Sequence, residues 1–305
     1  MRVSFSIIKK IFEKYFDRVG SCPIEILDQE ILYLEAWLKK GKHGKMKYLE
    51  NHLEIRKNPK LLLENAKTAI VVLKNYYTTK KPSWYRENAK ISNYAWVQDY
   101  HQVIKKRFEE GIDEIKQYIG EFSYRICVDT APFMDKVWAK KSGLGWIGKN
   151  TNLIHPKMGS YFFIGSLLVD FFIDNQFVIM KDYCGTCNRC IEACPTQALK
   201  PYEIDASKCI SYLTIELKED IPQEFDNQLN GWAYGCDICQ QVCPWNRFSK
   251  ENHEPMFEPL DLDFLFQISD FEYISNKKFQ KKLSNSAISR IHKNKWLQNL
   301  KKNKK

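Results

Sequence analysis

Residues 184–195 read Cys184-Gly-Thr-Cys187-Asn-Arg-Cys190-Ile-Glu-Ala-Cys194-Pro195. This C-x2-C-x2-C-x3-C-P spacing is the run with which bacterial proteins bind iron–sulfur clusters. Three thiolates on one tight loop can cap three irons of a [4Fe-4S] cubane, whereas the fourth cysteine begins a helix that points away and ligates a second cluster. The segment therefore requires a second set of cysteines elsewhere in the chain.

That second set lies downstream. It is the run Cys236-Asp-Ile-Cys239-Gln-Gln-Val-Cys243-Pro244, with Cys209 between the two runs. Two cubanes need eight thiolates, and the expected crossing assigns Cys184, Cys187, Cys190 and Cys243 to one cluster and Cys194, Cys209, Cys236 and Cys239 to the other. Structural zinc sites also use C-x2-C loops and are the alternative, although they rarely show this spacing followed by Cys-Pro.

The remaining cysteines and the apolar segments bear on the compartment. Residues 1–16 lack the uninterrupted apolar stretch of a signal peptide, so disulfides are not expected, and Cys22 and Cys127 read as buried apolar side chains. The longest apolar stretch, residues 161–173, contains Asp170 and is shorter than the roughly 20 residues that span a bilayer. We expect a cytoplasmic protein without a membrane segment.

Positive charge is concentrated at the C-terminus. The formal net charge is +10, and residues 277–305 hold eleven basic residues and no acidic one, which leaves the rest of the chain close to neutral. Composition alone is typical of a solvated, disordered end. The alternative is a partly helical segment that docks on the body and binds a polyanion.

The docking alternative makes specific residues testable. Its interleaved apolar residues are Phe279, Ile288, Ile291, Trp296 and Leu300, and the charges expected on one side are Lys281, Lys282, Arg290, Lys293 and Lys295. The segment 251–272 is rich in acidic residues and contains Pro255 and Pro259. It predicts an irregular connector that leads into a short helix near Phe264.

The first 175 or so residues alternate between two kinds of pattern. Residues 24–40 and 100–119 carry apolar residues at helical spacing, whereas residues 69–73 and 161–170 are short apolar runs with β-branched or aromatic content. A shorter run, residues 124–128, predicts a strand that ends next to Asp129. We predict an α/β domain in which helices cover a sheet.

Two segments of that domain are candidates for an acceptor site. The chain has no G-x-G-x-x-G after a strand and no Walker loop. Residues 128–132 read Val-Asp-Thr-Ala-Pro, and residues 143–152 read Gly-Leu-Gly-Trp-Ile-Gly-Lys-Asn-Thr-Asn. Three glycines in six residues suit either a backbone that passes close to a large flat or phosphate-bearing ligand or a purely structural turn.

Single residues in these segments remain open on spacing alone. Asp129 reads either as a general acid, if burial raises its pKa, or as an ordinary turn or N-cap aspartate. Asp99-Tyr100-His101 reads as a helix start, and a lone histidine in a helical pattern is usually structural or solvated.

Five motifs taken together closely resemble the epoxyqueuosine reductase family. Beside the segments at 128, 143 and 184, they are Cys-Ile-Ser-Tyr-Leu-Thr-Ile-Glu at 209 and Gly-Cys-Asp-Ile-Cys-Gln-Gln-Val-Cys-Pro-Trp-Asn at 235. Met46-Lys-Tyr-Leu, with Arg56 and Pro59, and Asp99-Tyr100-His101 also look like that family's N-terminal pattern. The similarity runs from about residue 15 to residue 299.

The resemblance implies a cobalamin-dependent oxidoreductase. Such an enzyme removes the epoxide oxygen from epoxyqueuosine at the wobble position of certain tRNAs, the last step of queuosine synthesis. It implies two [4Fe-4S] clusters, a tRNA substrate bearing epoxyqueuosine, an unidentified low-potential electron donor and a monomer. The implied fold is a cobalamin-binding α/β domain akin to reductive dehalogenases at residues 1–175, a ferredoxin-like module at 176–250, and a connector with a basic tail at 251–305.

The same resemblance assigns roles to single residues. By position, Asp129 matches the family's proposed proton donor. The segments that match those near the corrinoid contain Arg56, Tyr100, Lys149, Asn150, Asn152 and Ser211.

The chain also departs from the family's longer members. Many of these continue into helical repeats that help to grip tRNA, whereas this sequence stops at Lys305, so the basic tail is the expected substitute. Two functions from other classes remain as alternatives, a ferredoxin-type electron carrier and a reductive dehalogenase. Bound corrinoid would exclude the first, and activity on tRNA rather than on organohalides would exclude the second.

Overall fold

A four-stranded antiparallel sheet forms the centre of the computed structural model, which describes residues 1–174, 178–267 and 274–303. Its strand order is β2-β3-β8-β5, with β2 at Arg18–Pro23, β3 at Thr68–Asn75, β8 at Phe162–Val169 and β5 at Tyr124–Cys127. The strands predicted over residues 69–73, 124–128 and 161–170 are therefore confirmed. All strand pairs in this sheet are antiparallel.

The remaining elements are short, apart from two helices. The other strands are β1 Arg2–Ser4, β4 Lys90–Ile91, β6 Trp146–Ile147, β7 Leu153–Ile154, β9 Phe172–Asp174, β10 Leu199–Lys200, β11 Glu203–Ile204 and β12 Trp232–Tyr234. The α-helices are α1 Phe5–Phe12, α2 Asp28–Lys39, α3 Leu53–Lys57, α4 Tyr100–Ile119, α5 Asp135–Lys141, α6 Arg189–Glu192, α7 Ile210–Ile215, α8 Ile238–Gln241, α9 Asn276–Lys282 and α10 Lys293–Lys302.

Alternating side chains of the central strands pack into two separate hydrophobic cores. On β3, Ile70 and Val72 belong to the core under α1 and α4, whereas Ala69, Val71 and Leu73 belong to the core around α5. This period of two is what a strand buried on both faces requires. The sheet is therefore covered by helices on both sides, and the predicted α/β class is confirmed.

The long helix α4 has the predicted limits. Asp99 caps its N-terminus by accepting a hydrogen bond from the His101 N–H at 3.0 Å, and Gly120 ends it with φ +83°. It packs so closely on α1 that a Cβ at Gly111 would overlap the Phe12 ring. The cap fixes the two residues that follow Asp99 at the start of the helix.

The helix predicted over residues 24–40 begins later, at Asp28. The backbone N–H of Ile24 donates to the Lys67 carbonyl at 2.9 Å, and that of Leu27 donates to the Lys57 carbonyl at 3.0 Å. These contacts with distant segments hold residues 24–27 in a non-helical path, so tertiary pairing overrides the helical periodicity.

The C-terminal segment docks on the body, as the second of the two alternatives predicted. Phe279, Ile288, Ile291, Trp296 and Leu300 are all buried. Trp296 donates its indole N–H to the Leu265 carbonyl at 2.8 Å, within the short 3-10 helix Asp263–Phe266 that was expected near Phe264. Lys304 and Lys305 of the tail lie outside the described residues.

The five charges of that segment do not share one exposed side, so this expectation is wrong. Lys295 is buried, and its ammonium group donates to Gln298 Oε1 at 2.8 Å. Arg290 pairs with Glu216 at 2.8 Å and lines a cavity of about 770 Å³. When a helix docks, the basic side chains on its packed face are buried together with the apolar ones. Which basic residues are buried therefore depends on packing partners that are distant in sequence.

The division at 1–175, 176–250 and 251–305 stays a prediction, and its first boundary lies outside the described residues. Within residues 1–174, 178–267 and 274–303, no helix is both long and apolar enough to cross a membrane.

We predict that Trp296→Ala loosens the whole C-terminal segment. Trp296 is fully buried, and large-to-small substitutions of buried Trp cost roughly 3–5 kcal/mol. The thermal midpoint of the cluster-loaded protein, measured anaerobically by calorimetry, should fall by several degrees. Lys281→Ala, on the exposed side of α9, is the matched control and should leave it unchanged.

Candidate active site and electron path

A cavity of about 770 Å³ opens between β8, the loop after β5 and the docked C-terminal segment. Its lining includes Arg56, Tyr100, Asp129, Asn152 and Arg290, which come from five separated parts of the chain. Aromatic and apolar side chains, among them Tyr76, Phe162 and Phe163, form much of the remaining wall. The cavity combines an apolar wall with a few polar groups, as small-molecule and cofactor sites do.

Asp129 stands at the end of β5, as predicted, in a left-handed conformation with φ 55°. Its Oδ2 accepts a hydrogen bond from the Tyr100 hydroxyl at 2.9 Å and lies 3.7 Å from His101 Nε2. The second separation is that of an ion pair rather than of a hydrogen bond. Aspartate tolerates this backbone region better than most residues, so the strand can turn here and leave the carboxylate in the cavity.

His101 is held from its other side. Asp99, the N-cap of α4, lies 2.7 Å from His101 Nδ1 through its Oδ1. The Tyr100 ring stacks on the His101 ring with centroids 4.1 Å apart and on Phe163 with centroids 4.3 Å apart. The first turn of α4 therefore presents a tyrosine and a histidine together to Asp129, and the histidine lies between two carboxylates.

The sequence sets a condition for Asp129 to be a general acid by itself, namely that burial raises its pKa, and the surroundings of Asp129 oppose such a rise. The interaction with His101 lowers the pKa of Asp129 below its ordinary value, and this outweighs the opposing effect of burial. Burial disfavours the imidazolium, but Asp129 and Asp99 outweigh it and raise the pKa of His101 to about 9. At neutral pH the proton therefore resides on His101, and Asp129 is a carboxylate.

Two further lining residues carry polar atoms that lack partners. Neither Arg56 Nε nor Asp135 Oδ1 has a hydrogen-bond partner among the described residues, although both atoms are buried. Burial, reinforced by the charge of Asp129, raises the pKa of Asp135 well above its ordinary value. Buried polar groups in proteins normally have hydrogen-bond partners. These two atoms therefore fit a site in which a polar cofactor supplies the missing partners.

The predicted corrinoid residues fall into two groups. Arg56, Tyr100 and Asn152 line the cavity. Lys149 instead donates from Nζ to the Gly185 carbonyl at 2.8 Å, and Asn150 Nδ2 lies 3.4 Å from the Cys239 carbonyl. Ser211 is in α7, two residues after Cys209, and its backbone N–H interacts with the Cys209 thiol. The structure therefore places the last three beside the cysteine loops.

The eight thiols gather in the two sets that the spacing predicts. Cys184, Cys187, Cys190 and Cys243 line a single cavity of about 210 Å³. In the other set, Cys209 interacts electrostatically with Cys194, and Cys236 with Cys209 and Cys239. We call these the outer set and the inner set. Each set combines thiols from both runs, which is the crossing that two cubanes require.

Burial shapes the chemistry of these cysteines. It raises the pKa of the Cys236 and Cys239 thiols far above the ordinary value and also raises those of Cys184, Cys190 and Cys243. Thiolates at such positions need positive charge nearby, which metal ligation supplies. In the described parts of the chain, no three His, Cys, Asp or Glu side chains converge closely enough to hold a single metal ion.

The inner set is adjacent to the large cavity. Asn152 lines that cavity, and its Nδ2 lies 4.0 Å from Cys239 Sγ. The outer set is in turn next to the inner one, because α6, which contains Cys190, packs against α8, which contains Cys239. The order along the path is therefore outer set, inner set, cavity.

Comparison with known proteins agrees with this arrangement. Residues 183–246 match the 4Fe-4S double cluster binding domain, and residues 56–130 match the domain described as epoxyqueuosine reductase QueG, DUF1730. Epoxyqueuosine reductase of Leadbetterella byssophila is 46% identical over 288 residues, which cover 94% of this chain and 92% of the relative. That of Pseudomonas aeruginosa is 37% identical over 290 residues, covering 93% and 80%. This chain belongs to the epoxyqueuosine reductase family.

Solved structures of epoxyqueuosine reductases have the same fold. One, in complex with a tRNA-Tyr epoxyqueuosine-modified stem loop, is 28% identical with a TM-score of 0.85 and covers 97% of this chain and 79% of that chain. The enzyme from Streptococcus thermophilus is 31% identical with a TM-score of 0.82 at the same coverage. The predictions of an oxidoreductase, of an α/β domain joined to a double-cluster module, and of [4Fe-4S] clusters rather than zinc are confirmed.

Sequence reasoning did not assign the roles of several residues at this site. Spacing alone leaves His101 open, and the resemblance gives it no role, whereas Arg290 is assigned to an RNA-binding tail. A histidine two residues after an N-cap aspartate is a usable signal, because the capping carboxylate can also reach the imidazole. The sequence offers no comparable signal for Arg290 or Asp135, since burial and long-range packing bring them into the cavity.

We predict that Cys243→Ala removes the cluster of the outer set, although Cys243 belongs to the second run. Iron and sulfide in anaerobically purified protein should fall from about eight of each to about four, with the inner cluster still visible by electron paramagnetic resonance. Cys22→Ala is the control and should retain both clusters. Loss of the inner cluster with retention of the outer one would disprove the crossing.

Proposed function

We propose that this enzyme reduces the epoxide of epoxyqueuosine in tRNA at the cavity that Asp129 lines. Removal of the epoxide oxygen as water, with formation of a carbon–carbon double bond, consumes two electrons and two protons. The observation that carries the proposal is the convergence, at one cavity, of the His101–Asp129 pair as a proton store and of the inner cysteine set as an electron source. Protons and electrons can therefore both reach the cavity that Asp129 lines.

Cobalamin is the cofactor we propose for this cavity, and Arg56, Tyr100 and Asn152 are the residues we propose to hold it. Their polar groups line the cavity, and the unsatisfied Arg56 Nε supplies a donor for a polar cofactor edge. When bound, a reduced corrinoid supplies a strong nucleophile or one-electron reductant for the epoxide. The protein orients the cofactor, excludes water with its aromatic wall and delivers electrons and protons.

Asp129 and His101 are proposed to deliver one of the two protons together, and the second comes from solvent water. The imidazolium holds a proton 3.7 Å from Asp129 Oδ2, and Asp99 fixes the ring orientation through Nδ1. We propose that the proton passes from His101 Nε2 to Asp129 and then to the departing oxygen. Asp129 is thus the catalytic residue. Its proton is supplied by His101, so Asp129 does not depend on burial alone to be protonated.

The remaining partners are also proposals. Four lysines of α9, Lys277, Lys278, Lys281 and Lys282, are exposed, and Arg290 lies at the cavity, so we propose that these residues contact tRNA phosphates. We further propose a monomeric, cytoplasmic enzyme that receives electrons from a low-potential donor.

We predict that Asp129→Asn abolishes most turnover while both clusters and bound corrinoid remain. The amide preserves the shape and can still accept from Tyr100, but it cannot relay a proton. Loss of a general acid typically costs 10²- to 10⁴-fold, so single-turnover rates on epoxyqueuosine-containing tRNA should fall within roughly that range. Full activity in this variant would show that Asp129 is structural.

We predict that turnover declines as pH rises through about 9, because the imidazolium of His101 is the proton store and its pKa is raised to about 9. The charged form dominates below that pKa. The rate should therefore be constant from neutral pH until the pH approaches about 9, and it should fall as the pH rises beyond that value. His101→Gln should lower the rate and remove this alkaline decline. His253→Gln, at an exposed histidine, is the control and should keep the wild-type profile.

A further inference from the structure

A second open cavity, of about 510 Å³, lies beside the outer cysteine set. Cys243 and Pro244 line both this cavity and the smaller one that holds the outer thiols, and so does Arg247. The second cavity shares no lining residue with the cavity around Asp129. Nothing in the proposed reaction uses it, although it gives direct access to a ligand of the outer cluster.

Two uncompensated cations flank this opening. Arg189, the first residue of α6, and Arg247 are both exposed and line the cavity, and neither has an ion-pair partner among the described residues. Lys81 also lines it but pairs with Glu87 at 3.0 Å. The nearby carboxylate of Glu251 is engaged by the Thr79 N–H at 2.6 Å. With Lys81 and Glu87 paired, the two arginines still outnumber the single carboxylate of Glu251, so the charge left facing solvent is positive.

The same surface exposes aromatic side chains. The Arg247 guanidinium lies 4.6 Å from the centroid of Phe248, which is 38% exposed. Trp245 contacts Phe248 and also Tyr183, which is 53% exposed, with ring centroids 5.9 and 6.0 Å apart. Exposed aromatic residues and arginine are the composition that distinguishes the centre of protein–protein interfaces from other surface.

The position of this surface on the electron path indicates its partner. Electrons travel from the outer set to the inner set and then to the cavity, so they must enter at the outer set. We propose that the surface formed by Arg189, Arg247, Phe248 and the cavity at Cys243 docks an acidic electron-carrier protein, which reduces the outer cluster. This proposal rests on the proposed function, in which the clusters supply the electrons.

The step balances as an electron transfer. In each encounter the carrier is oxidised by one electron and the outer cluster is reduced by one, so two encounters supply the two electrons of one reduction. A protein carrier fits better than RNA, because the modified nucleotide of the tRNA must enter the other cavity. Uncompensated cations steer an acidic partner and raise its association rate, and this effect weakens as salt increases.

The test reverses the two charges. Arg189→Glu/Arg247→Glu protein with full iron content is mixed anaerobically with an acidic flavodoxin in its hydroquinone form, and bleaching of the cluster absorbance is followed by stopped flow. We expect the second-order rate constant at low ionic strength to fall at least tenfold, and its decrease with added salt to be lost or inverted.

Two controls separate docking from damage. Lys10→Glu/Lys106→Glu, at exposed lysines of α1 and α4, makes the same change in net charge and should leave the rate constant unchanged. Photoreduced 5-deazariboflavin, which is uncharged, should reduce the clusters of both variants as fast as those of the wild type. It also drives turnover of epoxyqueuosine-containing tRNA without a carrier, so failure of wild-type turnover with this reductant would count against the proposed function alone.

Other outcomes would overturn the proposal. Equal carrier rates in the wild type and the arginine variant, or equal slowing in both charge-reversed variants, would show that this surface does not dock the carrier. Weakened binding of a tRNA stem loop by the arginine variant, with an unchanged carrier rate, would assign the surface to RNA instead.

Discussion

Each cysteine run contributes its last cysteine to the set built mainly by the other run, and this crossing constrains everything around it. The thiol of Cys243 must lie with Cys184 and Cys187, so the short helices α6 and α8 have to pack against each other. Lys149 then bonds to the Gly185 carbonyl in the first run, while the Asn150 amide reaches the Cys239 carbonyl in the second. The glycine-rich loop is thereby fixed between both runs, and Asn152, two residues after Asn150, lines the active-site cavity. Cluster geometry thus determines where the electron path ends.

A buried ion-pair group ties the connector after the clusters to the central sheet. Glu254 is buried and lies 2.7 Å from Lys74 Nζ on β3 and 2.6 Å from Arg107 on α4. Burial alone would raise the pKa of Glu254, but the hydrogen bonds from Arg107 and Lys74 outweigh it and lower that pKa. A buried carboxylate is tolerated because two cations satisfy it, and removing one partner would leave an uncompensated charge. The predicted irregular connector is therefore an anchor that lets the C-terminal segment reach the cavity with Arg290.

What the sequence could predict follows from how local each signal is. The cysteine spacing identifies the clusters because ligand geometry is local to each loop, and residues 100–119 form the predicted helix because its cap and periodicity lie within the segment. Asp129 was located correctly at a strand end. Its ionisation stays open from the sequence, because it depends on His101, which is 28 positions away in sequence and is brought close by α4 packing on the sheet. Lys295 shows the same limit, since its burial depends on residues near Glu219.

The charged side chains at the cavity explain the attraction of an anionic substrate better than the net charge of long segments of the chain does. Outside residues 277–305 the chain is close to neutral, which suggested that only the tail attracts RNA. Among the residues that line the cavity, however, Arg56, Lys136 and Arg290 are basic and only Asp129 and Asp135 are acidic, and burial raises the pKa of Asp135 well above its ordinary value. Since fields within a cleft are focused by its low-dielectric walls, a small local excess of positive charge acts strongly on a phosphate backbone. The three basic lining residues, Arg56, Lys136 and Arg290, therefore help to make the site attractive to an anionic substrate.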